Sequence, residues 1–258
     1  MPQPRVLILR APGTNCDEET AYAFERASAK AERWHVNRLL EAPKALAEFQ
    51  ILCLPGGFSY GDDLGAGRIL GQRLRQHLAG AMQEFKSAGK LILGICNGFQ
   101  ILIKSGLLLE DDPQVGPPAT LTWNDSGRFE DRWVELVGAD SPCVFFAGIE
   151  RMYLPVAHAE GKFIPRNDVV LHQLRERRQI ALRYAVQGAA AGSAFPANPN
   201  GAVDDIAAVC DPTGRVCGLM PHPERYIDRT QHPRWTREDL PEAGDGLRVF
   251  ENAVRYFA

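Results

Sequence analysis

The sequence lacks the long apolar run and the strong charge imbalance that are typical of membrane-spanning and nucleic-acid-binding chains. It has no stretch of about 18 consecutive apolar residues, which argues against a transmembrane helix. Its 29 basic and 32 acidic residues give a formal net charge of −3, so nothing indicates a polyanionic partner. The N-terminal residues have no signal-peptide pattern and pass directly into a predicted strand. These absences predict a cytoplasmic protein that binds neither nucleic acid nor membrane.

The sequence also lacks the spacings that hold metals and nucleotides. It has six cysteines but no Cys-x-x-Cys pair, so we expect reduced thiols and no zinc site or disulfide framework. It has no Gly-x-x-x-x-Gly-Lys-Ser/Thr phosphate loop and no acidic cluster with metal-ligand spacing. The sequence therefore predicts neither a metal nor a nucleotide cofactor in this chain.

The first hundred residues contain a regular alternation of strand and helix patterns. Short apolar runs lie at residues 5–9, 51–54 and 91–95, and apolar residues recur at helical spacing in residues 17–31 and 69–87. Such alternation is typical of a parallel sheet that is covered by helices on both faces. We therefore predict an α/β fold, a flavodoxin-like three-layer open sheet that is mostly parallel.

Beyond residue 110 the helical periodicity weakens, and the C-terminal half is more β-rich. Short strands are predicted at residues 133–137, 144–146, 163–164, 169–171, 179–184, 206–210 and 216–219. A closing helix is predicted at residues 247–257. A chain of 258 residues is long enough to bury a sizeable core, and we expect one domain spanning residues 1–258.

Residues 94–98 read GICNG, a Gly-x-nucleophile-x-Gly pattern in which a cysteine takes the nucleophile position. The pattern joins a predicted strand to a predicted helix, so the thiol of Cys96 lies at a helix N-terminus, where the dipole favours a thiolate. Glycines on both sides allow neighbouring segments to approach this turn closely. The alternative is that Cys96 is a small core residue, but the flanking glycines favour a nucleophile.

A thiol nucleophile needs a base, and the base needs a group that orients it. His222 follows a short apolar strand, stands between two prolines and precedes Glu224 by two positions. In extended backbone the side chains at i and i+2 point to one side, so Glu224 can bond one imidazole nitrogen while the other faces a ligand. Taken alone, this segment is equally well explained as a proline-rich turn with a solvated His–Glu pair.

Together, residues 94–100 (GICNGFQ) and 221–224 (PHPE) resemble the triad-type, or class I, glutamine amidotransferases. Further stretches are similar to one branch of that family, the glutaminase subunits of phosphoribosylformylglycinamidine synthase. They are residues 11–17, 54–62, 126–133, 198–201 and 220–225. The resemblance runs along nearly the whole chain.

The resemblance implies a mechanism for the residues that match. Cys96 would attack the side-chain amide of glutamine, giving a γ-glutamyl thioester and releasing ammonia. His222 would accept the thiol proton and pass it to the leaving amine, and Glu224 would orient His222. The main-chain N–H groups of Gly57 and Asn97 would form the oxyanion hole.

Four further residues are predicted to contact the substrate: Gly56, Phe58, Gln100 and His158. Gly56 is the alternative oxyanion donor, and as a glycine it lets the backbone approach the substrate. Gln100 lies one helical turn after Cys96 and could reach the polar end of glutamine, although a solvated helix position explains it equally well. Residues 156–160 resemble the loop that holds the α-amino and α-carboxylate groups of glutamine, with strand capping as the alternative role of His158.

The resemblance also implies partners. Since the sequence has no phosphate-loop motif, we expect the ATP chemistry to take place in another chain. A large synthetase subunit would use ATP and Mg²⁺ to convert formylglycinamide ribonucleotide to formylglycinamidine ribonucleotide in de novo purine biosynthesis, and a small subunit would bridge the two. Two other functions stay open. One is a cysteine hydrolase of the protease or deglycase type on a similar fold, and the other is a non-catalytic flavodoxin-like binding module in which Cys96 only packs.

Overall fold

The structure is a computed structural model that describes residues 3–190, 192 and 194–258. The strands in this part of the chain are β1 (Arg5–Arg10), β2 (Lys30–His35), β3 (Ile51–Leu54), β4 (Leu91–Ile95), β5 (Ala119–Thr122), β6 (Glu130–Gly138), β7 (Arg151–His158), β8 (Lys162–Pro165), β9 (Ile180–Val186), β10 (Ala189–Ala190), β11 (Ile206–Cys210) and β12 (Val216–Leu219). The α-helices are α1 (Asp17–Arg26), α2 (Val36–Glu41), α3 (Arg68–His77), α4 (Ala79–Ser87), α5 (Asn97–Ser105), α6 (Asp168–Glu176) and α7 (Leu247–Arg255).

One ten-stranded sheet organises the molecule. Its order is β2-β1-β3-β4-β12-β11-β9-β6-β7, with β10 paired to β9, while β5 and β8 form a separate two-stranded sheet. The pairings from β2 to β12 are parallel, and those from β12 to β7 are antiparallel. Helices α1 and α7 pack together, and so do α3 and α5. The predicted flavodoxin-like α/β fold is confirmed, with an antiparallel extension in the β-rich half.

The middle strands of the sheet are buried along their whole length. Every residue of β3, β4 and β12 is buried, as expected for short apolar strands that are covered on both faces. Strand β6, near the far edge, instead mixes buried and exposed positions. The centre of the core therefore includes β4 and β12, the strands that lead directly to Cys96 and to the Pro-His-Pro-Glu segment.

Four local predictions are wrong. The helix pattern predicted over residues 17–31 is a helix only to Arg26, and residues 30–31 already belong to β2. Residues 169–171, predicted as a strand, lie in α6 because the Asn167 side chain accepts the Val170 N–H and caps a helix. Residues 144–146 form a short 3₁₀ turn instead of a strand. The long helix predicted over residues 69–87 is two helices, because Leu78 leaves helical geometry at φ −123° and ψ 7°. The apolar stripe stays buried across this break, which explains why the sequence suggests one helix.

Among the described residues, no helix is both long enough and apolar enough to cross a membrane.

Candidate active site

The candidate site lies where three neighbouring parallel strands end. The register places Leu54 of β3 opposite Gly94 of β4, and Leu219 of β12 opposite Ile95 of β4. The segments that follow these strands therefore meet at one edge of the sheet, the usual place for a site in an open α/β fold. They contain the Gly-Gly segment after β3, Cys96 after β4, and His222 with Glu224 after β12.

Cys96 occupies a strained turn between β4 and α5. Its backbone has φ +50° and ψ −104°, an unusual conformation for a residue with a side chain. The Cys96 N–H donates a hydrogen bond of 2.7 Å to the Leu219 carbonyl, which fixes the turn to the neighbouring strand. A side chain at Gly98 would overlap the carbonyl oxygen of Leu54, so glycine is required there. The predicted elbow geometry is present, and its thiol is almost completely buried.

His222 and Glu224 form a buried pair. The His222 Nδ1 lies 2.6 Å from the Glu224 Oε1, and both side chains are buried. Burial alone would lower the pKa of His222, but the Glu224 carboxylate and the neighbouring Cys96 hold that pKa well above its ordinary value. Because the Glu224 carboxylate accepts from Nδ1, that nitrogen carries a proton whether the ring is neutral or charged, so Nε2 is the nitrogen that gains or loses a proton. Nε2 is buried without a hydrogen-bond partner among the described residues.

Two further residues surround this pair, and sequence reasoning did not assign them a role. The first is Cys16. Its sulfur, one imidazole nitrogen of His222 and one carboxylate oxygen of Glu224 all lie within 4.8 Å of one another, and all three residues are buried. The Arg225 Nη2 lies 3.1 Å from the Cys16 sulfur, and burial raises the pKa of that thiol. Thiolate, imidazole and carboxylate are zinc-type ligands. Here, however, the guanidinium contacts the thiol and the carboxylate already bonds the imidazole, so the arrangement disfavours a cation.

The segment after β3, called here the β3 loop (residues 55–62), passes beside the His222 ring. The Gly56 carbonyl accepts a hydrogen bond of 3.3 Å from the Cys16 N–H. Because the C=O and N–H of a trans peptide point in opposite directions, this bond turns the Gly57 N–H away from Cys16. A Cβ at Gly56 would lie 2.8 Å from the His222 Cε1, so the absence of a side chain lets the imidazole occupy its position. Asn97, the other predicted oxyanion donor, is the first residue of α5, where N–H groups have no intrahelical acceptor.

Gln100 is buried, with both ends of its carboxamide engaged inside the protein. Its Oε1 accepts from the Asn97 Nδ2 at 3.0 Å, and its Nε2 donates to the Glu160 carbonyl at 2.6 Å. A direct contact with substrate stays a prediction, and it would require one of these bonds to open.

His158 is also buried, at the end of β7. Its Nδ1 lies 3.2 Å from the Asn124 Oδ1, while its Nε2 has no partner among the described residues. Burial, together with the charge of His222, lowers the pKa of His158 to about 3, so its ring is neutral at physiological pH. A neutral ring that donates from Nδ1 can only accept at Nε2.

Phe58 lies at the rim of this edge, and its side chain is 44% exposed. Its ring centroid is 6.4 Å from that of Phe129, which is also exposed. Since Phe58 directly follows Gly57, the predicted oxyanion donor is adjacent in the chain to an exposed apolar surface.

Comparison with known proteins gives matches over the whole chain. A family model for the CobB/CobQ-like glutamine amidotransferase domain matches residues 3–257. The chain is 50% identical over 257 residues to phosphoribosylformylglycinamidine synthase subunit PurQ of Dehalococcoides mccartyi, covering 99% of this chain and 98% of that protein. It is 41% identical to the PurQ subunit of Methanococcus maripaludis, with 98% and 97% covered. Among solved structures, a chain in the structure of PurLQS from Thermotoga maritima matches with a TM-score of 0.75 and 30% identity, and 100% of both chains is covered.

Proposed function

The chain belongs to the family of the CobB/CobQ-like glutamine amidotransferase domain, and within it we propose that this chain is the glutaminase subunit of phosphoribosylformylglycinamidine synthase. It hydrolyses glutamine to glutamate and ammonia and supplies the ammonia to a synthetase partner. The observation that carries this function is the match, at 50% identity over 99% of the chain, to a protein of that name. The meeting of a strained cysteine elbow and a buried His–Glu pair at one sheet edge supports the same chemistry.

In the proposed reaction, the Cys96 thiol transfers its proton to the His222 Nε2 and attacks the side-chain amide carbon of glutamine. Collapse of the tetrahedral intermediate breaks the carbon–nitrogen bond, and the nitrogen leaves as ammonia with the proton from His222. A water molecule, activated by the same imidazole, then hydrolyses the thioester and releases glutamate. Glu224 holds the proton on Nδ1, so that Nε2 accepts first and donates afterwards.

The oxyanion of the intermediate would be stabilised by the main-chain N–H groups of Gly57 and Asn97. The hydrogen bond from Cys16 to the Gly56 carbonyl and the position of Asn97 at the start of α5 support this assignment. Losing one such donor typically costs about 3 kcal/mol of transition-state stabilisation. The transition-state stabilisation that these donors supply is therefore the functional reason for the strained backbone of the elbow and the β3 loop.

The partners follow from what this chain is proposed to supply. A large synthetase subunit uses ATP and Mg²⁺ to convert formylglycinamide ribonucleotide to formylglycinamidine ribonucleotide, and a small subunit bridges the two. A solved assembly named PurLQS, which contains a chain similar to this one, supports a three-component complex. We further propose that residues 1–258 form one amidotransferase domain and that the protein acts in the cytoplasm, where its thiols stay reduced.

Covalent trapping with a chloroketone analogue of glutamine tests this function. We expect the analogue to add to the chain once, on the peptide that contains Cys96, and to add nowhere in Cys96→Ser. In the matched test, the protein is incubated under the same conditions with an aldehyde-modified peptide, the kind of substrate that a deglycase repairs, and removal of the modification is measured. Repair of that substrate without capture of the glutamine analogue would replace the proposed function with the hydrolase alternative.

A further inference from the structure

The β3 loop is held in a conformation that its own residues do not favour. Tyr60, Gly61 and Asp62 have consecutive positive φ angles of 56°, 70° and 53°, and Gly57 has φ 132°. Residues with side chains adopt such angles at a free-energy cost, so the conformation persists only where surrounding contacts hold it. The direction of the Gly57 N–H therefore depends on contacts made from outside the loop.

On one side, the main chain of the segment after β1 holds the β3 loop. The Phe58 N–H donates to the Gly13 carbonyl at 2.9 Å, and the Tyr60 N–H donates to the Pro12 carbonyl at 2.7 Å. These bonds fix the loop to the outer part of the sheet. They do not fix its distance from the nucleophile, which lies directly before α5.

On the other side, the carboxamide of Asn97 holds the loop to α5. This side chain is buried, and its Oδ1 accepts the Ser59 N–H at 3.2 Å. Its Nδ2 donates to the Asp62 Oδ1 and to the Gln100 Oε1, each at 3.0 Å. One carboxamide thus joins both ends of the strained segment to the helix that begins directly after Cys96.

The same hydrogen bonds continue into a closed network. The Gln100 Nε2 donates to the Glu160 carbonyl at 2.6 Å, and the Glu160 Oε2 accepts the Ala66 N–H at 3.2 Å. The Asp62 Oδ1 also accepts the Gly67 N–H at 3.3 Å. The network therefore contacts the β3 loop, the residues directly after it, the helix and the turn after β7, so the loop cannot shift without breaking several bonds together.

We propose that the carboxamide of Asn97 is a positioning group that sets the place of the Gly57 N–H relative to Cys96, with Asp62 as its anchor. This role is separate from that of the Asn97 main-chain N–H, which is the predicted donor to the oxyanion. The inference rests on the proposed glutaminase function and adds to it the residues that shape the oxyanion hole. It also gives Gln100 a place in the same network.

The first variant is Asn97→Asp, tested in the reconstituted complex. It keeps the size of the side chain and the main-chain N–H, but it turns a carboxylate oxygen toward the Asp62 carboxylate and the Gln100 carbonyl oxygen. We expect kcat for glutamine hydrolysis to fall about 10- to 100-fold, because small displacements of catalytic groups have effects of that size. The KM for glutamine should change less than about threefold, because the Asn97 side chain is not itself a predicted substrate contact.

The second variant tests rescue. When Asp62→Asn is added to Asn97→Asp, the amide at position 62 can donate to the carboxylate at position 97, so the hydrogen bond between the two side chains is restored with its direction reversed. We expect kcat to recover at least about fivefold, and a double-mutant cycle measures this coupling. Asp63→Asn is the matched control, since Asp63 is the exposed neighbour, carries the same charge and makes no contact with Asn97 among the described residues. It should give no recovery. A purely structural defect would be insensitive to which aspartate is changed.

Two results would overturn the proposal: an Asn97→Asp enzyme with kcat within twofold of wild type, or equal rescue by the two aspartate changes. Melting curves and ammonium-dependent synthesis report whether each complex has folded and assembled. If Asn97→Asp does not assemble, Asp62→Ala decides, because it removes the anchor and leaves the Asn97 side chain unchanged. It should lower kcat about fivefold, and an unchanged kcat rejects the proposal. Cys96→Ser, measured in parallel, refutes the proposed function itself if it still hydrolyses glutamine, whatever the Asn97 variants do.

Discussion

The parallel and antiparallel halves of the sheet contribute to the candidate site in different ways. In the parallel half, β3, β4 and β12 each end directly at a segment with a proposed chemical role. The antiparallel half contributes mainly backbone from β7. The Pro155 carbonyl accepts the His222 N–H at 2.8 Å, and the Ala157 carbonyl lies 3.8 Å from the Cys96 sulfur. The comparison suggests that the parallel half carries the reacting groups and that the antiparallel half fixes where they stand.

The strongest test of this division is Cys96→Ser. We expect glutamine-dependent turnover of the complex to fall at least about 10³-fold, because a hydroxyl is a poorer nucleophile than a thiol with the same base. Ammonium-dependent synthesis should continue, since it needs only the synthetase site. Cys143→Ala is the control and should keep its turnover, because this buried residue lies beside Gly214, at the end of β12 opposite to His222. Glutamine-dependent activity of more than a few per cent in Cys96→Ser would remove Cys96 from the mechanism.

The next effects concern the pair that follows β12. His222→Ala should cost nearly as much in kcat/KM as Cys96→Ser, because nucleophile and base act as a unit. Glu224→Ala should cost about 10- to 100-fold less, since the carboxylate orients the imidazole without touching substrate. Steady-state kinetics of the reconstituted complex measures both. If His158→Ala proves inactive and His222→Ala proves benign, the base belongs to the antiparallel half and the division is wrong.

The sequence predicted the parallel half well because its signals are local. Cys96 and the pair of His222 with Glu224 each follow a short buried strand, so pattern and position agree. The roles of Cys16 and Arg225 could not be predicted, because they depend on the start of α1 meeting the end of β12 in the folded chain. The helix at residues 168–176 was missed for a similar reason. Two adjacent valines favour a strand, and the cap at Asn167 decides otherwise.

A smaller effect should appear at the rim of the parallel half, where Phe58 follows Gly57. We predict that the isolated chain is a weak glutaminase and that docking of the synthetase subunit activates it. A tenfold activation needs only about 1.4 kcal/mol of differential binding to the competent state. Phe58→Ala should reduce the activation, which is the ratio of the turnover in the complex to the turnover of the isolated chain, severalfold. The test compares turnover of each chain alone and in the complex, and equal rates for the wild-type chain in both states would reject the coupling.

The smallest predicted effect is a change in how stability depends on pH, and it tests the antiparallel half alone. The pKa of His158 is about 3 in the folded protein, because burial and His222 disfavour its charged form, against an ordinary value of 6.5. Between these values the unfolded chain binds up to one more proton at this site, so the free energy of unfolding rises with pH. The stabilisation is complete above about pH 6.5 and is lost as the pH falls toward 3.

The size of this effect is at most about 1.4 kcal/mol per pH unit. His158→Asn removes the titrating ring, so its free energy of unfolding should change less steeply between pH 4.5 and 6.5 than that of the wild type. Chemical denaturation at several pH values measures both slopes. His222 does not mask the difference, because its pKa is raised and its contribution changes only as the pH rises above about 6.5. Equal slopes in the two proteins would mean that His158 takes up a proton in the folded state, and the neutral acceptor assigned to its Nε2 would then be wrong.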